Sequence, residues 1–197
     1  MIEIMTMEIL RFHSEDPLSF TADTHFGHKN IIEYCQKPFR DAEEMNETLI
    51  DRWNRTVDKN DMVFHLGDFG MGGAAEWHRI LERLNGRIYL IAGNHDLRTL
   101  SSGGITRFEN VTMQMLIRVG KRRIHLNHYP FLCFSGSEKE SWQLFGHVHS
   151  NSRQSTADNS RLNYLLSTQY DVGVDKNNYV PISYKQIRDI ILGRREA

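Results

Sequence analysis

The chain has almost no cysteine, no surplus of either charge and no long apolar run. Cys35 and Cys133 are the only two cysteines in 197 residues. Set far apart, they supply neither a disulfide framework nor a Cys-x-x-Cys metal or redox motif. The 24 basic and 25 acidic side chains leave a formal net charge of −1. Bulk charge therefore gives no support to a generic polyanion-binding surface, and a nucleic-acid partner is not expected from it. No stretch of eighteen apolar residues occurs, so no membrane-spanning helix is expected. Glu3 and Glu8 interrupt the opening MIEIMTMEIL, which lacks the basic start and clean apolar core of a signal peptide. These absences point to a cytoplasmic protein. With 40% apolar and 25% charged residues, the composition is that of a globular protein rather than a disordered one. Nothing reads as a linker, repeat or low-complexity tract. One domain over residues 1–197 is expected, with 1–17 as a loosely attached extension.

What the chain does have is histidine. Ten are present, about twice the usual number for this length, and their placement follows the pattern of strands. Leu18 to Ala22 is a short apolar run that reads as a buried strand, followed by a turn at Gly27 and a helix over Lys29 to Cys35. Asp41-Ala-Glu-Glu44 has capping-box form ahead of Met45, Leu49, Ile50, Trp53 and Val57 at helical spacing. Met62–Leu66 and Arg87–Ala92 read as further strands, separated by an amphipathic helix over Ala74–Leu84. This β-α-β-α-β rhythm predicts a layered α/β fold. Beyond Asn110 the pattern changes. Val111–Val119 and Arg123–Asn127 read as a hairpin about Gly120-Lys121; Trp142–Phe145 and Tyr164–Ser167 read as strands, and Tyr184–Leu192 as a helix. Antiparallel pairing is expected in this half.

Each of five strand ends carries residues of metal-binding type. Asp23-Thr-His25, Asp68, Asn94-His95-Asp96, His128 and Gly146-His147-Val-His149 follow the five strands in turn. In open α/β sheets ligands collect beyond the carboxyl ends of strands, so two carboxylates, an amide oxygen and at least four imidazoles are expected on one rim. Seven ligands are too many for one ion. Two divalent ions about 3.5–4 Å apart, bridged by a carboxylate, would use them all and share a hydroxide aimed at phosphorus. Nitrogen and oxygen donors without thiolate favour Mn, Fe, Zn, Co or Ni over Mg or Ca. At this composition a chance Gly-His-x-His arises in roughly one chain in thirty, and a chance Gly-Asn-His-Asp in about one in several hundred.

Together these blocks resemble the calcineurin-like metallophosphoesterase superfamily over about Asp23 to His149. The resemblance implies a four-layer α/β/β/α sandwich around two metal ions. It assigns Asp23, His25 and His149 to one ion and Asn94, His128 and His147 to the other, with Asp68 bridging. It makes His95 the acid that protonates the leaving oxygen, and it implies hydrolysis of a phosphoester. The run Thr24-His25-Phe26-Gly27-His28-Lys29-Asn30 is similar to that of a small branch found in bacteria and their phages. One departure stands out: Gly67-Asp-Phe-Gly-Met-Gly-Gly73 lacks the Asp-Arg pair of the protein-phosphatase branch. Phosphoprotein substrates are therefore not expected, and glycines here would leave the site mouth open or mobile.

The charge balance and the short chain favour a small phosphodiester or nucleotide-like substrate, with a monoester as the nearest alternative. A catalytically silent scaffold and a nuclease are the rival classes. Substrate contacts are expected from Asn94, His28 and Arg153, the last in the polar stretch Asn151–Asn163. His65, in a buried strand, reads as a core histidine or as support for a ligand. His13, His78 and His125 read as surface or sheet-face residues. Asp171-Val-Gly-Val-Asp175 reads as a strand and turn, which spacing alone does not place over the site.

Overall fold

The structure, a computed structural model, describes residues 9–137, 140–150 and 159–196. Two five-stranded sheets stack face to face. The first has the order β10-β2-β3-β4-β5, formed by Ile182–Ser183, Leu18–Thr21, Met62–His65, Arg87–Ile91 and Asn110–Thr112. The second runs β1-β6-β7-β8-β9, formed by Leu10–Phe12, Gln114–Val119, Arg122–Asn127, Ser141–Phe145 and Gln169–Asp171. Strand periodicity explains the stacking. On β4, Tyr89 and Ile91 face the second sheet, joining Phe20, Phe64, Ile124, Leu126, Trp142 and Leu144 in the inter-sheet core. Ile88 and Leu90 face the other way, onto the helices.

Those helices are α1 (Lys29–Tyr34), α2 (Ala42–Thr56) and α3 (Gly73–Leu81). Asp41 caps α2 by accepting the Glu44 N–H at 2.9 Å, and Met45, Leu49, Ile50 and Trp53 form its buried stripe. A short α4 (Leu97–Ser101) follows the third site loop, and α5 (Tyr184–Glu196) packs against β9 of the second sheet and β2 and β10 of the first. The expected α/β/β/α sandwich is thus present.

Several local expectations need correction. The run 111–119 divides: β5 joins the first sheet beside β4, and only β6 forms the hairpin with β7. Within the second sheet antiparallel pairing is confined to that hairpin, because β7-β8 and β8-β9 are parallel, whereas β10 pairs antiparallel with β2 in the first. The connections from 128 to 140 and from 146 to 168 are long enough for the crossovers that parallel strands require. Tyr164–Ser167 is not a strand. A 3-10 turn (Asn159–Tyr164) leads into exposed Tyr164 and Leu166, and the strand is β9, whose Gln169 pairs with Gln143. Within the N-terminal extension, residues 1–8 and their strand-like alternation lie outside the described residues, while β1 pairs in parallel with β6.

The glycine run 67–73 does not leave the mouth open. Phe69 is fully buried against Phe26, His65, Trp77 and Phe108. A Cβ on Gly70 would lie 2.9 Å from the Phe26 carbonyl oxygen, so glycine here permits close approach of two loops. Among the described residues, no helix is long and apolar enough to cross a membrane.

Candidate metal centre

Strands β2, β3 and β4 run parallel, as do β7 and β8, so the five motif-bearing loops emerge at carboxyl ends. The loops after β2 and β3 then continue side by side. The N–H groups of Asp23, His25 and Phe26 donate to the carbonyls of Gly67, Asp68 and Phe69 at 2.9–3.0 Å. Across the sheets, the His147 N–H donates to both Asp23 carboxylate oxygens at 2.9 and 3.0 Å. Gly67, at φ 94°, has no room for a side chain: a Cβ would sit 2.6 Å from the Gly93 nitrogen and from His128 Nδ1.

Two groups of donors result. Asp23, His25 and His149 form one, and Asp68, His128 and His147 the other; within each, one donor atom per residue lies within 4.8 Å of the rest. Asp68 Oδ2 stands between them, 3.6 Å from His25 Nε2 and 3.5 Å from His128 Nε2. Asn94 Oδ1 lies 3.2 Å from His128 Nε2, adding the amide oxygen to the second group. The seven residues are thereby brought together.

The hydrogen bonds of three of the imidazoles fix which ring nitrogen faces the centre. A carbonyl can only accept, so His128 donates Nδ1–H to Leu66 O at 2.8 Å and turns Nε2 toward Asp68. His149 donates Nδ1–H to Asp175 Oδ2 at 2.6 Å. His25 Nδ1 lies 3.1 Å from His28 Nδ1, while its buried Nε2 has no hydrogen-bond partner. An orphaned imidazole nitrogen facing carboxylates in a buried site fits a divalent ion. So do donors of nitrogen and oxygen alone.

Backbone strain marks the same residues. Asp23, His25, Asp68, His147 and His149 all have positive φ, between 46° and 71°, a region that L-residues adopt rarely and at a cost.

The electrostatics follow from burial and pairing. Burial pushes the Asp23 carboxyl up and His25 well below the usual imidazole range, so His25 is neutral and its Nε2 lone pair is available. Burial would also raise Asp68, but the hydrogen bond and charge of His128, with His25, hold it below the usual carboxylate range. Against burial, Asp68 and Asp23 raise His128 to about 9, and chiefly Asp175 raises His149 to about 11. Without ions, both imidazoles carry protons that a metal would displace.

The remaining expected residues divide. His95 is exposed beside His25 and His28, with ring centres 5.2 and 5.6 Å away, and its backbone N–H donates to Asp68 Oδ1 at 3.0 Å. His28 is half-buried against His25. Arg153 lies outside the described residues. His65 is buried, with Nε2 2.9 Å from Thr24 Oγ1; because that hydroxyl donates to Phe69 O, His65 is the donor. It supports the loop and binds no ligand group directly.

Four supports escaped the sequence. Asp96, raised to about 6 by burial, accepts the N–H groups of Asp68, Phe69 and Gly93, each at 2.8 Å, so this acidic neighbour of the ligands braces two site loops. Asp175 orients His149 and also binds Lys37 Nζ at 2.7 Å. Its position shortly after β9, at the same carboxyl rim, was the available signal. Tyr129, next to His128, donates its hydroxyl to Asn94 Oδ1 at 3.3 Å.

The model of the family described as calcineurin-like phosphoesterase matches residues 17–183. The chain belongs to that family. Membership in the calcineurin-like phosphoesterases implies a metal-dependent phosphoesterase. The uncharacterized protein MJ1445 of Methanocaldococcus jannaschii is 33% identical over 86% of this chain and 88% of its own length. The Gene 66 protein of Mycobacterium phage L5 is 31% identical over 66% of this chain and 76% of its own. Among solved structures, the protein of unknown function AQ665 from Aquifex aeolicus superposes with a TM-score of 0.66 at 26% identity, covering 88% of this chain and 98% of that one.

Proposed function

We propose that this calcineurin-like phosphoesterase hydrolyses a small phosphodiester or nucleotide-like ester at two divalent transition-metal ions. The observation that carries the reading is the position of Asp68 Oδ2, within 3.6 Å of an imidazole from each donor group. Asp23, His25 and His149 would hold one ion, Asn94, His128 and His147 the other, and Asp68 both. When bound, such a pair activates a water for attack on phosphorus and neutralises the phosphoryl oxygens.

This chain's own residues do the rest. Leu66 O and Asp175 fix two imidazoles so that little reorganisation is needed when the ester arrives. His95, exposed at the mouth and held through its own N–H, is placed to deliver a proton to the departing oxygen. Asn94 and His28 line the same mouth and would contact the phosphoryl group. A diester carries one negative charge where a monoester carries two, and among the described residues the groove that opens beside His147 has no Asp, Glu, Lys or Arg in its lining to clamp a second. That favours the diester.

Turnover of bis-p-nitrophenyl phosphate and p-nitrophenyl phosphate with Mn, Ni, Zn or Mg tests the reading. The diester is expected to be the better substrate and Mg the poorest metal. His95→Ala is expected to retain both ions and to lose about 10²–10⁴-fold in kcat. Full activity in that variant removes His95 from the reaction.

A further inference from the structure

A groove of about 580 Å³ opens beside the metal centre, with His147 as part of its wall. Its volume lies in the range of roughly 300–1,000 Å³ typical of small-molecule sites. The rest of the lining is apolar or aromatic: Tyr129, Phe131, Leu132, Tyr164 and Leu165 among others, without a charged side chain among the described residues. Leu132 is 90% exposed and Tyr164 79%. Large apolar groups left in water around a concave surface mark a binding site.

The groove is built into the centre. Tyr129 packs edge-on against His147, ring centres 4.6 Å apart, and its hydroxyl reaches Asn94 Oδ1. Phe131 is pinned through its backbone, its N–H donating to Gln143 Oε1 at 2.8 Å and its carbonyl accepting from Gln169 Nε2 at 2.9 Å. A phosphate held at the ions would therefore direct one ester substituent into an apolar cleft that carries the rings of Tyr129, Phe131 and Tyr164. Aromatic faces favour a flat ring, and tyrosine hydroxyls can meet the heteroatoms at its edge. A saturated chain would use neither.

We infer that this groove is a subsite for the nucleobase of a nucleotide ester. The inference rests on the phosphoesterase reading for its phosphate anchor and adds the chemical class of the group attached to it. Leu132 and Tyr164 would close over the base, and Tyr129 would couple its position to the Asn94 side of the centre.

The test is calorimetric binding to the Mn-loaded protein of three phosphonates whose P–C bond resists hydrolysis. Adenosine 5′-phosphonate is expected to bind about tenfold tighter than base-free ribose 5-phosphonate. In Leu132→Ala/Tyr164→Ala, where both side chains are solvent-exposed and outside the core, that ratio is expected to fall to about one. Equal affinities in the wild type, or a ratio that survives the double substitution, overturn the inference. Tighter binding of octylphosphonate than of the adenosine compound overturns it in favour of an aliphatic occupant. A base preference in a protein that turns over neither nitrophenyl ester would refute the hydrolase reading alone. Turnover without base preference would refute the subsite alone.

Discussion

The two halves of the metal centre are built differently. Behind Asp23, His25 and His149 stand side chains: buried Asp175 on His149, buried Lys37 on Asp175, and half-buried His28 on His25. Behind Asp68 and His128 stand a main-chain carbonyl and one buried carboxylate: Leu66 O fixes His128, and Asp96 accepts the loop N–H groups around Asp68. The second half also faces the aromatic groove through His147. A first half held by a buried, charged network is suited to keep its ion, whereas the second half, beside an open cleft, is suited to exchange ion and substrate.

The most damaging way to break this contrast is at the atom both halves share. Asp68→Asn weakens the carboxylate that faces both groups, so elemental analysis is expected to show loss of both ions and the esterase assay to fall to background. Retention of one tightly held ion would mean that the halves are more independent than their geometry indicates.

Asp175→Asn separates the halves. It removes the charged acceptor that orients His149, with an expected loss of about 10–100-fold in affinity for the first ion. The second ion's affinity should change little, which a competitive chelator titration resolves as two steps. The same substitution leaves Lys37, whose side chain is 0% exposed, without a countercharge. An accompanying destabilisation of about 3–5 kcal/mol is expected, read from urea unfolding.

A smaller effect sharpens the contrast through pH. Because His128 is raised from the ordinary value to about 9, its protonated form stabilises the metal-free protein fully below pH ~6.5. That contribution is lost as pH rises through about 9. The ion must displace this proton, so affinity at the second half should rise by about tenfold per unit of pH below that value. The gap in Tm between metal-loaded and metal-free protein should widen over the same window. A gap independent of pH would show that His128 is already neutral.

The seven residues that converge were legible in the sequence because each follows a strand at its carboxyl end, where periodicity and residue type speak together. Asp68 as the shared residue came from family resemblance, and the contact distances give it a geometric basis. Asp175 and Lys37 were not legible as partners, since 138 positions separate them and neither lies in a repeating pattern. The groove was hidden for a related reason. Its walls come in part from the segment after β7 and from 162–165, which overlaps the run Tyr164–Ser167 read as a strand; among the described residues that run has no sheet neighbour. Burial of Phe69 likewise overrode what glycine content alone implied for the loop 67–73.

The left-handed backbone at Asp23, His25, Asp68, His147 and His149 also bears on how such a protein would decay. Each such corner costs about 1–2 kcal/mol that glycine would not incur. Substituting glycine there relaxes the main chain in the same step that abolishes coordination, so a lineage released from the need for catalysis would slide toward a sturdier, inert descendant. The five non-glycine side chains therefore hold their donor atoms in place at the expense of an easier backbone.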